Sequence, residues 1–120
     1  MELNEYQKQA MGTCLPSCKN ALYMITGLSA EVGEVNDKVA KDCRKGVLSM
    51  QNNHLVYNTS DESVVHEKRI ELMKELGDIV WFAFGLADVL GFTADEVCQM
   101  NLDKLANRKR KDEIITHTDH

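Results

Sequence analysis

No apolar run in this 120-residue chain approaches the roughly 18–20 residues that a bilayer-spanning helix needs, which argues against a membrane protein. The opening "MELNEYQKQ" lacks the basic and apolar segments of a secretory signal, so a cytoplasmic location is the expectation. Paired cysteine spacing is missing too. Cys14 and Cys18 are separated by three residues, and neither Cys43 nor Cys98 supplies a second pair at zinc-site spacing. Reduced thiols are the better reading. There is no excess of positive charge: the formal net charge of −5 disfavours general nucleic-acid binding. The single proline, Pro16, falls in "GTCLPSC", and no strand-rich region exists from which a sheet could be built.

What is present is helical periodicity. "LNEYQKQAM" (3–11) reads as a short amphipathic helix, with Asn4 and Gln7 at capping-box spacing. A long helical pattern runs from about Lys19 to Asp42, with Leu22, Ile25, Leu28, Val32, Val35 and Val39 on or near one side. Gly46 stops it after the basic residues Arg44 and Lys45. Residues 47–60 read as a loop in which Val47-Leu48 and Leu55-Val56-Tyr57 offer at most a marginal hairpin. Thr59 and Glu62 give a second capping box, opening a helix from about 62 to 90 that Gly91 ends. Thr93 and Glu96 give a third, opening a helix through roughly Lys111. The expectation is an all-α single domain over 1–120: a helical bundle of two long and two shorter helices, completed by oligomerisation.

One local pattern occurs twice. Glu31-Val32-Gly33-Glu34 and Glu75-Leu76-Gly77-Asp78 each read acid, apolar, glycine, acid inside a long helix. Acids three residues apart share a face and repel by a few tenths of a kcal/mol, while a mid-helix glycine costs roughly 1 kcal/mol against alanine. A single such turn is most simply a solvated helix face. A doubled one points to compensation, and a divalent cation supplies it. Antiparallel helices can set Glu31 and Glu34 opposite Glu75 and Asp78 as a four-carboxylate cup. Gly33 and Gly77 then permit close approach, and Val32 and Leu76 anchor the opposite side in the core. Such a site suits Mg²⁺, with Mn²⁺ as a substitute, and points to phosphate chemistry. Ferritin-like di-iron bundles require Glu-x-x-His, whereas His66 follows Glu62 by four residues.

The segments "GLSAEVGEVNDKVAKDCRKG" (27–46), "ELMKELGDIVWFAFGLADVLGF" (71–92) and "NLDKLANRKRK" (101–111) together resemble the MazG-type all-α nucleoside triphosphate pyrophosphohydrolases. The resemblance covers nearly half the chain, in the family's order. It implies a helical bundle, a homodimer or homotetramer, and Mg²⁺-dependent cleavage of (d)NTP to (d)NMP and pyrophosphate. It makes Glu31, Glu34, Glu75 and Asp78 the metal ligands, with Glu34 also orienting or deprotonating the attacking water. Lys38, one turn beyond Glu34, is within reach of a phosphate. Asn101, Lys104 and Arg108 form one stripe similar to the family's N-x-x-K-L-x-x-R segment, in which Asn and Lys contact nucleotide. The family's glycine-rich "G-x-G-D-x-R" tail is not matched by "THTDH" (116–120), and the 47–61 insert has no family counterpart.

The basic stretch "KLANRKRK" (104–111) reads as a solvated helix end rather than a nucleic-acid patch. Trp81 can stack on a base, although an aromatic within "IVWFAFGL" is better read as core. Two rivals stand beside the general hydrolase. One is a specialised dUTP/dCTP or phosphoribosyl-ATP pyrophosphohydrolase, and the other a non-catalytic helical interaction module with merely solvated acids.

Overall fold

A computed structural model describes residues 1–110 as four α-helices and one hairpin. The helices are α1 (Leu3–Gly12), α2 (Ala21–Arg44), α3 (Glu62–Val89) and α4 (Ala94–Arg110). A single 3₁₀ turn, Pro16–Cys18, follows α1, and strands β1 (Leu48–Gln51) and β2 (His54–Tyr57) lie between α2 and α3. The fold is therefore all-α apart from the hairpin, with two long and two shorter helices. The tail "THTDH", with His117 and His120, lies outside the described residues. No single helix among the described residues is long and apolar enough to cross a membrane.

The chain divides into two compact units, one of residues 22–83 and the other of residues 1–21 with 84 onward. In the first, α2 and α3 lie side by side and antiparallel. Gly27 faces Phe82, Lys38 faces Glu71 and Asp42 faces Lys68, so each step forward along α2 is matched by a step back along α3. Gly27 is required here because the Phe82 ring fills the space that a Cβ would take. That ring also meets Tyr23, with centres 5.6 Å apart, and stands edge-on to half-buried Trp81 at 4.9 Å. Gly46 ends α2 at φ +73°, and its N–H and that of Val47 donate back to the carbonyls of Cys43 and Asp42, a Schellman closure.

The 47–60 segment is more ordered than a loop. Leu48 pairs with Tyr57 and Gln51 with His54, closed by Asn52-Asn53 at φ 51° and 67°. Both turn residues take the left-handed conformation that a two-residue hairpin demands and that asparagine tolerates. Leu48 is buried, and Asn58 ties the hairpin base to the Gly46 carbonyl at 2.7 Å.

The periodic apolar stripe of α2 is not the buried face that the pattern suggested. Leu22, Ile25 and Val32 are exposed, while Met24 is the fully buried side chain of this helix. Val32 and Leu76, expected to anchor in the core, are 52% and 46% exposed. They line an apolar groove of about 540 Å³ with Val35, Val39, Met50 and Met73. Periodicity reports that a face is apolar, not which chain covers it.

In the second unit, the start of α4 is fully satisfied. The Thr93 and Glu96 side chains exchange hydrogen bonds with each other's backbone N–H at 3.1 and 2.9 Å, the expected capping box. Asn4 and Gln7 do not cap their own helix, as their spacing had suggested. Asn4 Oδ1 accepts from the Asp95 N–H and Gln7 Oε1 from the Ala94 N–H, both at 2.9 Å, so they cap α4 instead. Buried Gln7 also donates to the carbonyls of Phe84 and Phe92, locking the end of α3 and the turn after it. Gly91, at φ +87°, makes that turn. The cap of α3 is likewise displaced from Thr59 to Asp61, which accepts from the Ser63 N–H and hydroxyl. Those bonds hold the Asp61 carboxyl below its ordinary pKa.

Candidate metal centre

Each acidic turn sits mid-helix on the α2–α3 pair. Because the helices are antiparallel, Glu31 comes opposite Asp78, and Glu75 lies one turn from Asp78 on the same face. One carboxylate oxygen from each of Glu31, Glu75 and Asp78 lies within 4.8 Å of the other two. Glu31 and Glu75 are half-buried, whereas Asp78 is exposed. Glu34 is exposed one turn along α2 and is not one of these three converging groups. Its charge is nevertheless felt. The Glu31 carboxyl is pushed above its ordinary pKa first by partial burial, then by Asp78, Glu75 and Glu34 in turn.

The donor set fits a hard divalent cation. All three groups are carboxylates, the oxygen donors that a hard cation such as Mg²⁺ prefers, and they would hold it with water or substrate oxygens completing its shell. Gly33 and Gly77, expected to let a helix backbone or a ligand approach closely, meet no neighbouring helix: a methyl group added at either would have no atom beyond its own helix backbone within 4 Å. The space beside both glycines is open, and among the described residues no other helix comes within 4 Å of it.

Two turns further along α2, Lys38 Nζ pairs with Glu71 Oε1 at 3.5 Å. Lys68 Nζ bridges Asp42 Oδ1 at 3.6 Å and Glu71 Oε2 at 3.9 Å. Residue spacing along one helix does not single out Asp42, Lys68 or Glu71. The antiparallel register does, once Glu31 is set against Asp78. Asn101 and Lys104 are exposed and Arg108 is half-buried on α4, in the other unit. The carboxylate cluster itself is built from α2 and α3 alone.

An all-α chain with convergent carboxylates on an antiparallel helix pair has the architecture implied by the sequence resemblance. The chain belongs to the MazG nucleotide pyrophosphohydrolase family, whose domain model matches residues 19–112. It thus falls among the nucleotide-directed hydrolases at the family level. It is similar to the Gene 37 protein of Mycobacterium phage L5, with 30% identity over 116 residues covering 91% of this chain and 90% of that protein. No solved structure matches it significantly.

Proposed function

We propose that this protein hydrolyses (deoxy)nucleoside triphosphates to the monophosphate and pyrophosphate with Mg²⁺, in the cytoplasm. The observation that carries the reading is the convergence of Glu31, Glu75 and Asp78 in a chain of this family. A divalent cation held there would neutralise polyphosphate charge and activate a water for attack. Glu31, Glu75 and Asp78 hold that cation, and Glu34 completes the set when its side chain turns inward. Glu34, the most solvent-exposed acid of α2's pair, also orients the attacking water and accepts its proton. Lys38 contacts a phosphate, and Asn101, Lys104 and Arg108 contact the nucleotide.

The exposed apolar groove beside the cluster supports a homodimer or homotetramer. Val32, Met50, Met73 and Leu76 are large apolar side chains left in water by this chain alone. Burying them against a second copy yields roughly 25 cal/mol per Å².

A panel of standard and modified (d)NTPs, assayed with Mg²⁺ and with pyrophosphate detected separately from orthophosphate, tests the activity. Pyrophosphate and monophosphate in equal amounts are the expected products, and the panel separates a general hydrolase from a dUTP/dCTP or phosphoribosyl-ATP specialist. Orthophosphate as the sole inorganic product contradicts the proposed bond cleavage.

A further inference from the structure

Lys68 has no place in the chemistry above, yet it stands in a line of charges that leads to the carboxylate cluster. The line runs Asp42, Lys68, Glu71, Lys38, and Glu71 divides its two oxygens between the two ammonium groups. Three of its members are partly shielded, with side-chain exposures of 14% for Asp42, 27% for Lys68 and 31% for Lys38, while Glu71 is 42% exposed. Their contacts of 3.5 to 3.9 Å are long beside the roughly 2.7–2.9 Å of a tight charge-assisted bond. Each ammonium carries three donors, so a contact to Glu71 leaves room for a second acceptor. A clasp made only for stability gains little from pairs this loose.

Position gives the line a use. Glu71 lies one turn before Glu75 on α3, and Lys38 two turns after Glu31 on α2, about 10 Å along the axis. A polyphosphate whose reacting end rests at the carboxylate cluster can extend along the helix pair towards both lysines. A lysine is a compact charge on a flexible four-carbon stem, suited to a phosphate reached at an angle. A terminal phosphate carries more charge than the single carboxylate of Glu71 and displaces it from both ammonium groups.

We propose that Lys38 and Lys68 together form a subsite for the terminal phosphate of the substrate, with Glu71 and Asp42 as positioning residues that hold the lysines between turnovers. This inference rests on the nucleotide-hydrolysing reading of the adjacent cluster. It assigns to Lys68 a contact with the leaving pyrophosphate, and it makes the distance between cluster and lysines a measure of phosphate-chain length.

The test is the binding of inorganic pyrophosphate, with Mg²⁺ present, to wild-type and Lys68→Met protein, alongside binding of a nucleoside monophosphate and of Mg²⁺ alone. Loss of one charge-assisted contact weakens pyrophosphate binding about tenfold or more. Monophosphate and Mg²⁺ binding are expected to stay at wild-type strength, because neither ligand extends to Lys68. Lys68→Arg keeps the charge and the ion pairs, and it is expected to retain most of the pyrophosphate affinity even if Lys68→Met folds poorly. Unchanged pyrophosphate binding in Lys68→Met, or equal loss of pyrophosphate and monophosphate binding, overturns the subsite. If wild-type protein binds no Mg²⁺ and releases no pyrophosphate from triphosphates, the underlying reading falls and takes the subsite with it. Wild-type cleavage with undiminished pyrophosphate affinity in the variant removes the subsite alone.

Discussion

Glu31→Gln is expected to strengthen the metal-free protein while abolishing its response to metal, and this opposition of signs is informative. Glu31 faces Glu75 and Asp78 with carboxylate oxygens within 4.8 Å. At that separation a like-charge pair costs about 0.9 kcal/mol even at the dielectric constant of water, and salt reduces it further. Two such pairs, screened and partly exposed, leave a net relief of roughly 1 kcal/mol on neutralising Glu31. Glutamine has nearly the helix propensity of glutamate, so the backbone contributes little. The melting temperature of the metal-free variant should rise by roughly 3–6 °C. Wild-type protein at Mg²⁺ or Mn²⁺ concentrations a hundredfold above Kd should gain about 2.7 kcal/mol by linkage, and the variant far less. Thermal unfolding monitored by circular dichroism, with chelator and with metal, reads both effects. A variant that is less stable without metal, or that gains as much from metal as wild type, rules out a repulsive, metal-binding carboxylate cluster at Glu31.

Other expectations concern the scaffold and its pH response. Gln7→Leu removes three hydrogen bonds to backbone groups of α3, the turn after it and the start of α4, and a loss of about 2–5 kcal/mol in urea unfolding is expected. An unchanged midpoint there shows that other groups satisfy those donors and acceptors. Gly27→Ala forces the Phe82 ring aside, costing about 1–3 kcal/mol against roughly 1 kcal/mol of improved helix propensity. A net loss in denaturant midpoint is expected, and a gain would show that the ring moves freely. Glu31 binds its proton more tightly when folded, so metal-free stability should fall as pH rises from the ordinary carboxylate pKa through the raised one. A stability profile that instead climbs through this window and follows Glu31, judged by comparison with Glu31→Gln, contradicts the clustering of like charges.

The acidic residues that converge were legible because their pattern is doubled, with acid, apolar residue, glycine and acid on both α2 and α3. What spacing along single helices cannot give is register. The Asp42–Lys68–Glu71–Lys38 line emerges only when Gly27 is set against Phe82 and the two helices are read in opposite directions. Capping shows the same limit. Asn4 and Gln7 carry the right chemistry for a helix N-terminus, but the N–H groups they satisfy belong to α4, about ninety residues away. The apolar stripe through Val32 was also legible as a stripe, yet its exposure was not. The hairpin reads in sequence as a loop with at most a marginal strand pair, because the asparagines that suggest a loop are also those that tolerate the positive φ joining the strands at Asn52-Asn53.

We propose that the cluster of Glu31, Glu75 and Asp78 supports Mg²⁺-dependent cleavage between the α- and β-phosphates of a nucleotide. The most direct measurement is pyrophosphate release from a nucleoside triphosphate by wild-type and Asp78→Asn protein, side by side, with Mg²⁺ and with chelator. Asp78 is exposed and the substitution nearly isosteric, so the fold should persist while a ligand charge is lost. Release is expected from wild type only with Mg²⁺, and none above background from Asp78→Asn. Wild-type turnover in the variant, or release that ignores the chelator, contradicts the proposed role of the cluster.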